Sequence, residues 1–290
     1  MHKIGIFYDK LRYEEKALYE TAIKEGLEAR LLDSKNIILN TADLNNNEFN
    51  FGDIILQRSI SHFRGQFLTI CLELIGYKVI NNSKIGEICG NKLLTSMTLK
   101  KNNVPTPKSY FAFNSDSAFD VLDIGDLEKN PLVFKPVIGS WGRGVFPVRN
   151  KETGKIIIEM RQESSSPFSN IYYFQELVNR PPRDIRCIVL GEQVVAGIYR
   201  YSSNDEWRTN VSRGGKAEMI EITNELEDVA IKAAKAIGIG ILGIDMMEDE
   251  RNGLLVHEVN NTVEFRGAST ATNLNIAKLI IDYLKNDDKR

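Results

Sequence analysis

Cysteine is scarce in this chain. Cys71, Cys89 and Cys187 are the only three, and none forms a Cys-x-x-Cys pair. An odd count without paired spacing argues against a disulfide framework or a structural zinc site. Histidine is equally sparse: His2, His62 and His257 are scattered, and no local Cys–His pair suggests a nucleophile. Charge of one sign is lacking too. The 37 Lys+Arg against 39 Asp+Glu leave a formal net charge of −2, so no overall basic field invites nucleic acid or a membrane surface. No stretch approaches the ~18 apolar residues of a membrane span. The opening Met1–Lys10 offers one short apolar run, Ile4–Tyr8, less than a secretory signal needs. No nucleic acid, no membrane and a cytoplasmic location are the expectations.

What is present is an ordinary globular composition. Of 290 residues, 42% are hydrophobic and 26% charged, enough for two or three domains with buried cores. The first eighty residues alternate strand and helix signals: strands at Ile4–Tyr8, Ala29–Leu32, Asp53–Gln57 and Tyr77–Ile80, helices at Arg12–Glu25 and His62–Ile75. That rhythm predicts a small open parallel sheet of α/β type. A helix over Lys84–Asn102 follows. Beyond it short strands dominate, at Ser109–Phe113, Leu132–Pro136, Val145–Arg149, Ile156–Glu159, Tyr172–Leu177, Asp184–Leu190 and Gln193–Tyr199. Asn224 is expected to cap a helix to Ile237, with Glu227 as its capping-box partner. A hairpin, Leu242–Met247 and Leu254–Val259, turns through Asn252-Gly253, and a last helix spans Thr272–Leu284. The domain cuts are placed near 83 and 174: residues 1–83, 84–174 and 175–290.

Gly238-Ile-Gly240-Ile-Leu-Gly243 matches the dinucleotide signature GxGxxG. That motif must leave a strand and open a helix. Here it leaves a helix and opens a strand, so it reads as a helix stop. More informative is Lys135-Pro136-Val137-Ile138-Gly139-Ser140-Trp141-Gly142-Arg143-Gly144. Its three glycines allow a loop whose amides face a phosphate, with a plain hairpin loop as the alternative. No Gly-Lys-Ser/Thr follows, so it is not a Walker A loop; the lysine precedes the glycines instead. Glu258 and Asn260, two apart on one strand, share a face, and Asp245 can join them from the paired strand. Two carboxylates and an amide oxygen suit Mg²⁺; a structural salt-bridge cluster is the alternative. Tyr172–Val178 is a hydrophobic strand emerging into polar residues. Asp184 with Arg186, and Arg208 with Asn210, again pair at i, i+2, and arginine favours carboxylate and phosphate.

The order of these features resembles the ATP-grasp superfamily, and within it the RimK-like ligases. The motifs Gly90-Asn91-Lys92, Lys135–Arg143, Arg183-Asp184-Ile185-Arg186-Cys187, Glu206-Trp207-Arg208-Thr209-Asn210 and His257–Phe265 narrow the likeness to the LysX/ArgX enzymes, LysX-like favoured at Asn261-Thr262. The resemblance implies an ATP-grasp fold, α/β and α+β, with an N-terminal Rossmann-like pre-ATP-grasp domain. It implies an ATP-dependent ligase that joins α-aminoadipate to the C-terminal glutamate of a LysW-type acidic carrier protein through an acyl phosphate. The same reaction with glutamate, or a RimK-like glutamate ligase acting on another protein or cofactor, is the alternative. ATP would be held by Lys92, Lys135, the loop Gly139, Ser140, Trp141, Gly142, Arg143 and Gly144, the adenine-reading segment Gln175, Glu176 and Leu177, and Asp184 at the ribose. Two Mg²⁺ ions would sit on Asp245, Glu258 and Asn260. Arg208 and Arg186 would be catalytic, with Arg186, Asn210, Asn261 and Thr262 at the amino-acid substrate. Because the carrier is acidic and the chain slightly negative, a local patch of Arg180, Arg183, Arg200, Arg213 and Arg266 is expected to dock it. A homo-oligomer is compatible with the sequence.

Overall fold

The computed structural model describes residues 3–41, 50–139, 142–202 and 216–286. The first layer is built from β1 (Lys3–Tyr8), α1 (Tyr13–Lys24), β2 (Glu28–Asp33), β3 (Ile54–Gln57), α2 (His62–Leu74) and β4 (Lys78–Ile80). Its strands pair in parallel in the order β2-β1-β3-β4, as the alternation of strand and helix signals predicts.

The expected single helix after it is two: α3 (Ser83–Gly90) and α4 (Lys92–Lys101). Asn91 breaks the run. Its backbone is extended (φ −125°, ψ 109°), and its side chain accepts from the amides of Leu93 and Leu94. This places Lys92 in the first turn of a new helix. Both helices share a core with Leu226, Ala230 and Leu242 of the C-terminal lobe, and α3 also packs on α2 of the first.

The middle lobe holds β5 (Ser109–Ala112), α5 (Ser115–Val121), β6 (Leu132–Lys135), β7 (Phe146–Val148), α6 (Lys151–Gln162) and β8 (Tyr172–Glu176), with an antiparallel sheet ordered β5-β8-β6-β7. A cut at 174 falls inside β8. The strand expected at Ile156–Glu159 is part of α6. Three consecutive isoleucines favour a strand locally, but Asn150 caps the helix by accepting from the Thr153 amide (2.9 Å), and Gly154, Ile157 and Ile158 form its buried face.

The last lobe carries β9 (Arg183–Leu190), β10 (Gln193–Tyr201), β11 (Ala217–Met219), α7 (Asn224–Ile237), β12 (Ile241–Asp249) and β13 (Gly253–Asn260), followed by α8 (Arg266–Thr272) and α9 (Ile276–Asn286). Its five strands are antiparallel in the order β11-β10-β9-β12-β13. The cap of α7 is Thr223, whose hydroxyl accepts from the Leu226 amide, one residue earlier than expected. The final helix starts at Ile276 rather than Thr272, and an unexpected α8 precedes it, the two separated at Asn273 in the left-handed region (φ 58°). The Gly238–Gly243 run ends α7 and opens β12. A side chain on Gly240 would strike Oδ1 of Asn81 at 2.1 Å, so that glycine exists for a close approach between lobes.

One face of the last sheet is covered by α7, α3 and α4. The other is divided. Ile188, Leu190 and Ile198 join Ile4, Leu18, Ile276 and Ile280 in one core that fuses the first and last lobes. The remainder of that face is polar and open. No helix among the described residues is long and apolar enough to cross a membrane.

Candidate active site

The open part of that face floors a cleft of about 1050 Å³ walled by all three lobes. Strand alternation brings Asp184 and Arg186 of β9, Arg200 of β10, Asp245 and Met247 of β12, and Glu258 and Asn260 of β13 to it. Asp245 lies directly opposite Glu258 in the hairpin register, so the two carboxylates meet as expected. One departure from regular alternation matters. Val256 belongs to the opposite core, yet it stands two residues from Glu258. A β-bulge resolves the conflict: Val256 pairs with Met246 and Glu258 with Asp245, which leaves His257 as the extra residue. His257 therefore joins the cleft wall, and its Nε2 is buried without a hydrogen-bond partner. Burial, with Lys135 adding to it and Asp245, Asp184 and Glu258 opposing, pushes its pKa down to about 4, so it is neutral at pH 7.

The charges are tightly interlocked. Arg186 grips Asp245 with two bonds of 2.7 Å. Arg200 grips Asp184 (2.6 and 2.8 Å) and reaches Asp245 at 3.0 Å. Asn260 donates to Asp245 at 3.2 Å. Burial would raise the Asp245 carboxyl, but Arg186 and Arg200 hold it well below the usual carboxylate range. Lys92 donates to Glu258 (3.1 Å) and to the Gly139 carbonyl (2.7 Å), tying the metal-type carboxylate to the glycine loop. Burial and Asp245 would raise the Glu258 carboxyl; Lys92, His257 and Lys135 together outweigh them and hold it below its ordinary value. Among the described residues Lys135 donates to a neutral acceptor, Oε1 of Gln175 at 2.6 Å. Burial lowers its pKa to about 8, with Glu258 opposing and Lys92 and Arg180 adding. Among the described residues this desolvated ammonium makes no ion pair, and a phosphate entering beside it would supply one.

The cleft contains Lys92, Lys135, Gly139, Gly142, Arg143, Asp184, Arg186, Asp245, Glu258, Asn260, Asn261 and Thr262 of the expected site. Ser140, Trp141, Arg208, Asn210 and Arg213 lie outside the described residues. Four groups of expected residues sit differently in the structure. Gln175, Glu176 and Leu177 are not on the cleft wall. The amides of Glu176 and Leu177 donate to the carbonyls of Lys108 (2.8 Å) and Pro131 (2.9 Å), so these two donors are taken. Gln175 is buried and instead positions Lys135, donating in turn to the Tyr173 hydroxyl at 2.6 Å. Asp184 reaches the wall, but it is 2% exposed and both its oxygens accept from Arg200. Gly144 is off the wall; its φ of +68° and the approach of Pro136 make it a turn residue. Two of the docking arginines are committed elsewhere: Arg200 to the buried aspartates, and Arg183 to Glu248 (2.7 and 3.0 Å) and to the Tyr199 ring at 3.9 Å.

Sequence reading also missed the joint that holds the site's last segment. Asn81 donates to the carbonyls of Ile241 (2.7 Å) and Asn261 (2.8 Å). Glu14 accepts from the amides of Phe265 and Arg266, both at 3.2 Å. Arg58, 2% exposed, bonds Glu15 (3.1 Å) and the Val263 carbonyl (2.9 Å). Asn261–Arg266 is thus clamped by the first lobe. The signals were single polar residues in apolar contexts, which carry no periodicity.

Comparison with known proteins agrees with this arrangement. A family model described as a RimK-like ATP-grasp domain matches residues 89–284, and one described as a LysX preATP-grasp domain matches residues 4–88. The α-aminoadipate–LysW ligase LysX of Saccharolobus solfataricus is 37% identical over 93% of this chain and 96% of its own. The glutamate–LysW ligase ArgX of Sulfolobus acidocaldarius is 33% identical over 98% and 99%. In fold, a RimK-domain ATP-grasp protein of Sphaerobacter thermophilus superposes with a TM-score of 0.78 at 20% identity, covering 97% of this chain and 98% of that one. A D-alanine–D-alanine ligase of Bacillus anthracis, complexed with ATP, gives 0.69 at 18% identity, covering 100% and 99%.

Proposed function

The chain belongs to the RimK-like ATP-grasp ligases, and on that premise we propose that it joins the α-amino group of α-aminoadipate to the side-chain carboxylate of the C-terminal glutamate of a LysW-type carrier protein, in lysine biosynthesis. The observation that carries the chemistry is the pair Asp245–Glu258, facing each other on adjacent strands and ringed by Lys92, Lys135, Arg186 and Arg200. What supports the substrates is the near-full-length likeness to LysX, together with Asn261 and Thr262 on the cleft wall.

The donor set fits Mg²⁺. Two carboxylates and an amide are hard oxygen ligands, and Mg²⁺ is held by one or two carboxylates plus substrate phosphates. The four surrounding cations match a polyphosphate rather than an isolated ion. Asp245, Glu258 and Asn260 would hold the metal, one ion or two, and Arg186 would turn from Asp245 to phosphate. When bound, the metal would supply charge neutralisation to the phosphates.

This chain's own residues do the rest. Lys92 and Lys135 meet phosphate oxygens, and the glycine loop closes over them. The carrier's carboxylate takes the γ-phosphoryl group, giving an acyl phosphate and ADP. The free amine attacks the acyl carbon, loses a proton, and inorganic phosphate departs with the C–O electron pair. Arg186 stabilises the transferred phosphoryl group or the oxyanion, a role also proposed for Arg208. No covalent enzyme intermediate is required.

The glutamate reaction is the second reading, favoured by the ArgX likeness over 98% of the chain. An ATP-dependent ligation assay with purified carrier separates the two. Carrier-dependent ADP formation and a mass increase with aminoadipate, exceeding that with glutamate, is the expected result. Turnover with glutamate alone reverses the assignment, and no turnover with either removes it.

A further inference from the structure

The amine that attacks the acyl phosphate enters the cleft as an ammonium, so the reaction needs a group that can take its proton. Most acceptors on the cleft wall are occupied. Asp184 and Asp245 are held by Arg200 and Arg186, Glu258 by Lys92, Glu264 by Arg12, and Glu14 by two backbone amides. His257 stands beside Lys135, and its Nε2 is buried. His62 is different. It opens α2 on the first-lobe wall of the cleft and is half-buried. Neither of its ring nitrogens has a hydrogen-bond partner among the described residues. Burial holds its pKa below the ordinary value, with no charged neighbour contributing, so the imidazole is neutral at pH 7.

Its position is fixed from two sides. Asp9 accepts from the amides of Ile60 (2.9 Å) and Ser61 (3.0 Å) and from Arg64 (2.9 Å), which holds the turn that presents His62. The ring packs on α3, where a Cβ on Gly90 would overlap its Cε1 and Nδ1. One turn earlier, Gly86 faces the Asn261 side chain, its ideal Cβ 3.6 Å from Nδ2. His62 and Asn261 thus meet the same side of α3 at successive turns. Beside them Cys89 lies in the field of Glu258: burial, then that charge, raises its thiol. Lys92, two residues past Gly90, donates to Glu258 at 3.1 Å. The lysines and the glycine loop claim the other half of the cleft for phosphate, which leaves this side to the amino acid. On the ligase reading above, we propose that His62 is a catalytic residue that takes a proton from the α-ammonium of the amino-acid substrate. The freed lone pair forms the N–C bond, and the C–O bond breaks with its electron pair on phosphate. The second amine proton leaves on that phosphate, and the imidazolium returns its own to water.

Hydroxylamine separates this step from the one before it, because it is unprotonated at neutral pH and attacks an acyl phosphate without a base. With ATP and purified carrier, His62→Gln should form the carrier hydroxamate at the wild-type rate, which also shows its fold and ATP site to be intact. Its kcat with the amino acid that the wild type ligates should fall about 10²–10⁴-fold, the worth of a general base, while the KM for ATP stays unchanged. A variant that ligates the amino acid at the wild-type rate overturns the proposal. Equal loss of hydroxamate and ligation also overturns it, since that makes His62 a structural residue. So does a raised amino-acid KM at unchanged kcat, which makes it a binding residue only. A wild-type chain that forms no carrier hydroxamate fails the ligase reading itself, and the proton role falls with it.

Discussion

Two buried ionic clusters lie along the seam between the first and last lobes, and they end differently. In the joint, Arg58 runs from Glu15 to the Val263 carbonyl, Arg12 spans Glu15 and Glu264, and Glu14 ends on two backbone amides. Arg58 and Glu14 end on the main chain, while Arg12 reaches Glu264 at the rim of the cleft. In the cleft, Arg186, Arg200, Asp184 and Asp245 bind mainly one another, Lys135 has a neutral partner, and His257 Nε2 has none. That network terminates on a cavity. Charges closed on the backbone cannot exchange partners without unfolding the segment they hold. Charges closed on each other can release one partner when a phosphate arrives. The first cluster is built for position and the second for substitution.

The comparison is broken most directly at Glu258. Glu258→Gln keeps the shape and removes one metal-type charge, so ligation should fall by at least about 10²–10³-fold, with the thermal midpoint near wild type. A variant that turns over normally removes Glu258 from the metal site. The opposite pattern is expected at the joint. Glu15→Gln leaves Arg58 buried beside a neutral group, and breaking one partner of such a pair costs about 3–5 kcal/mol; urea unfolding measures it. The Glu15 carboxyl is held below its usual pKa: burial opposes, and Arg12 and Arg58 outweigh it. Its contribution is therefore present above the unfolded carboxyl pKa and is lost as pH falls through the folded one. A Glu15→Gln chain as stable as wild type at neutral pH would make the two clusters alike.

Smaller effects sharpen the distinction. Lys135→Ala should weaken ATP binding by about 10–100-fold, the worth of one charge-assisted contact, without loss of fold. Unchanged nucleotide affinity would return Lys135 to the strand edge. Lys135 also predicts proton uptake. Its pKa of about 8 in the free protein rises when phosphate supplies an anion, so ATP binding above pH 8 should take up a proton, and affinity should decline as pH rises past that value. Calorimetry in buffers of different ionisation enthalpy reads this directly; a buffer-independent heat at pH 8.5, roughly mid-window, counts against it. The smallest expected change is in amide exchange of Gly139 and Gly142–Gly144, slower with nucleotide than without, since a lid must open to release ADP. Equal protection in both states denies the loop that role.

Much of the site was legible because it follows strand periodicity. Glu258 and Asn260 are two apart, Asp245 sits across a recognisable hairpin, and Lys92, then Lys135 ahead of its glycine loop, come in the order the resemblance requires. What failed was of another kind. Ile156–Glu159 reads as a strand because β-branched residues favour one locally, and only the Asn150 cap and the packing of Ile157 and Ile158 make it helical. His257 looks incidental because period two sends it away from Glu258, and the bulge that returns it depends on Val256 being needed in the opposite core. Arg200 reads as surface charge because no spacing tells that two aspartates from two other strands will close around it.

By itself, then, the sequence determined the inventory and its order: a parallel sheet first, antiparallel sheets after, and a hard-oxygen set with lysines ahead of it. These are properties of residue type and local spacing, and they survive any error in placing a boundary. The tertiary structure alone decided partnership. Which arginine holds Asp245, that Gln175 serves Lys135 rather than a base, and that the first lobe clamps Asn261–Arg266 all depend on strands and lobes far apart in the chain meeting at a few ångströms. At that range one buried charge is worth more than any local preference, and no periodicity records it.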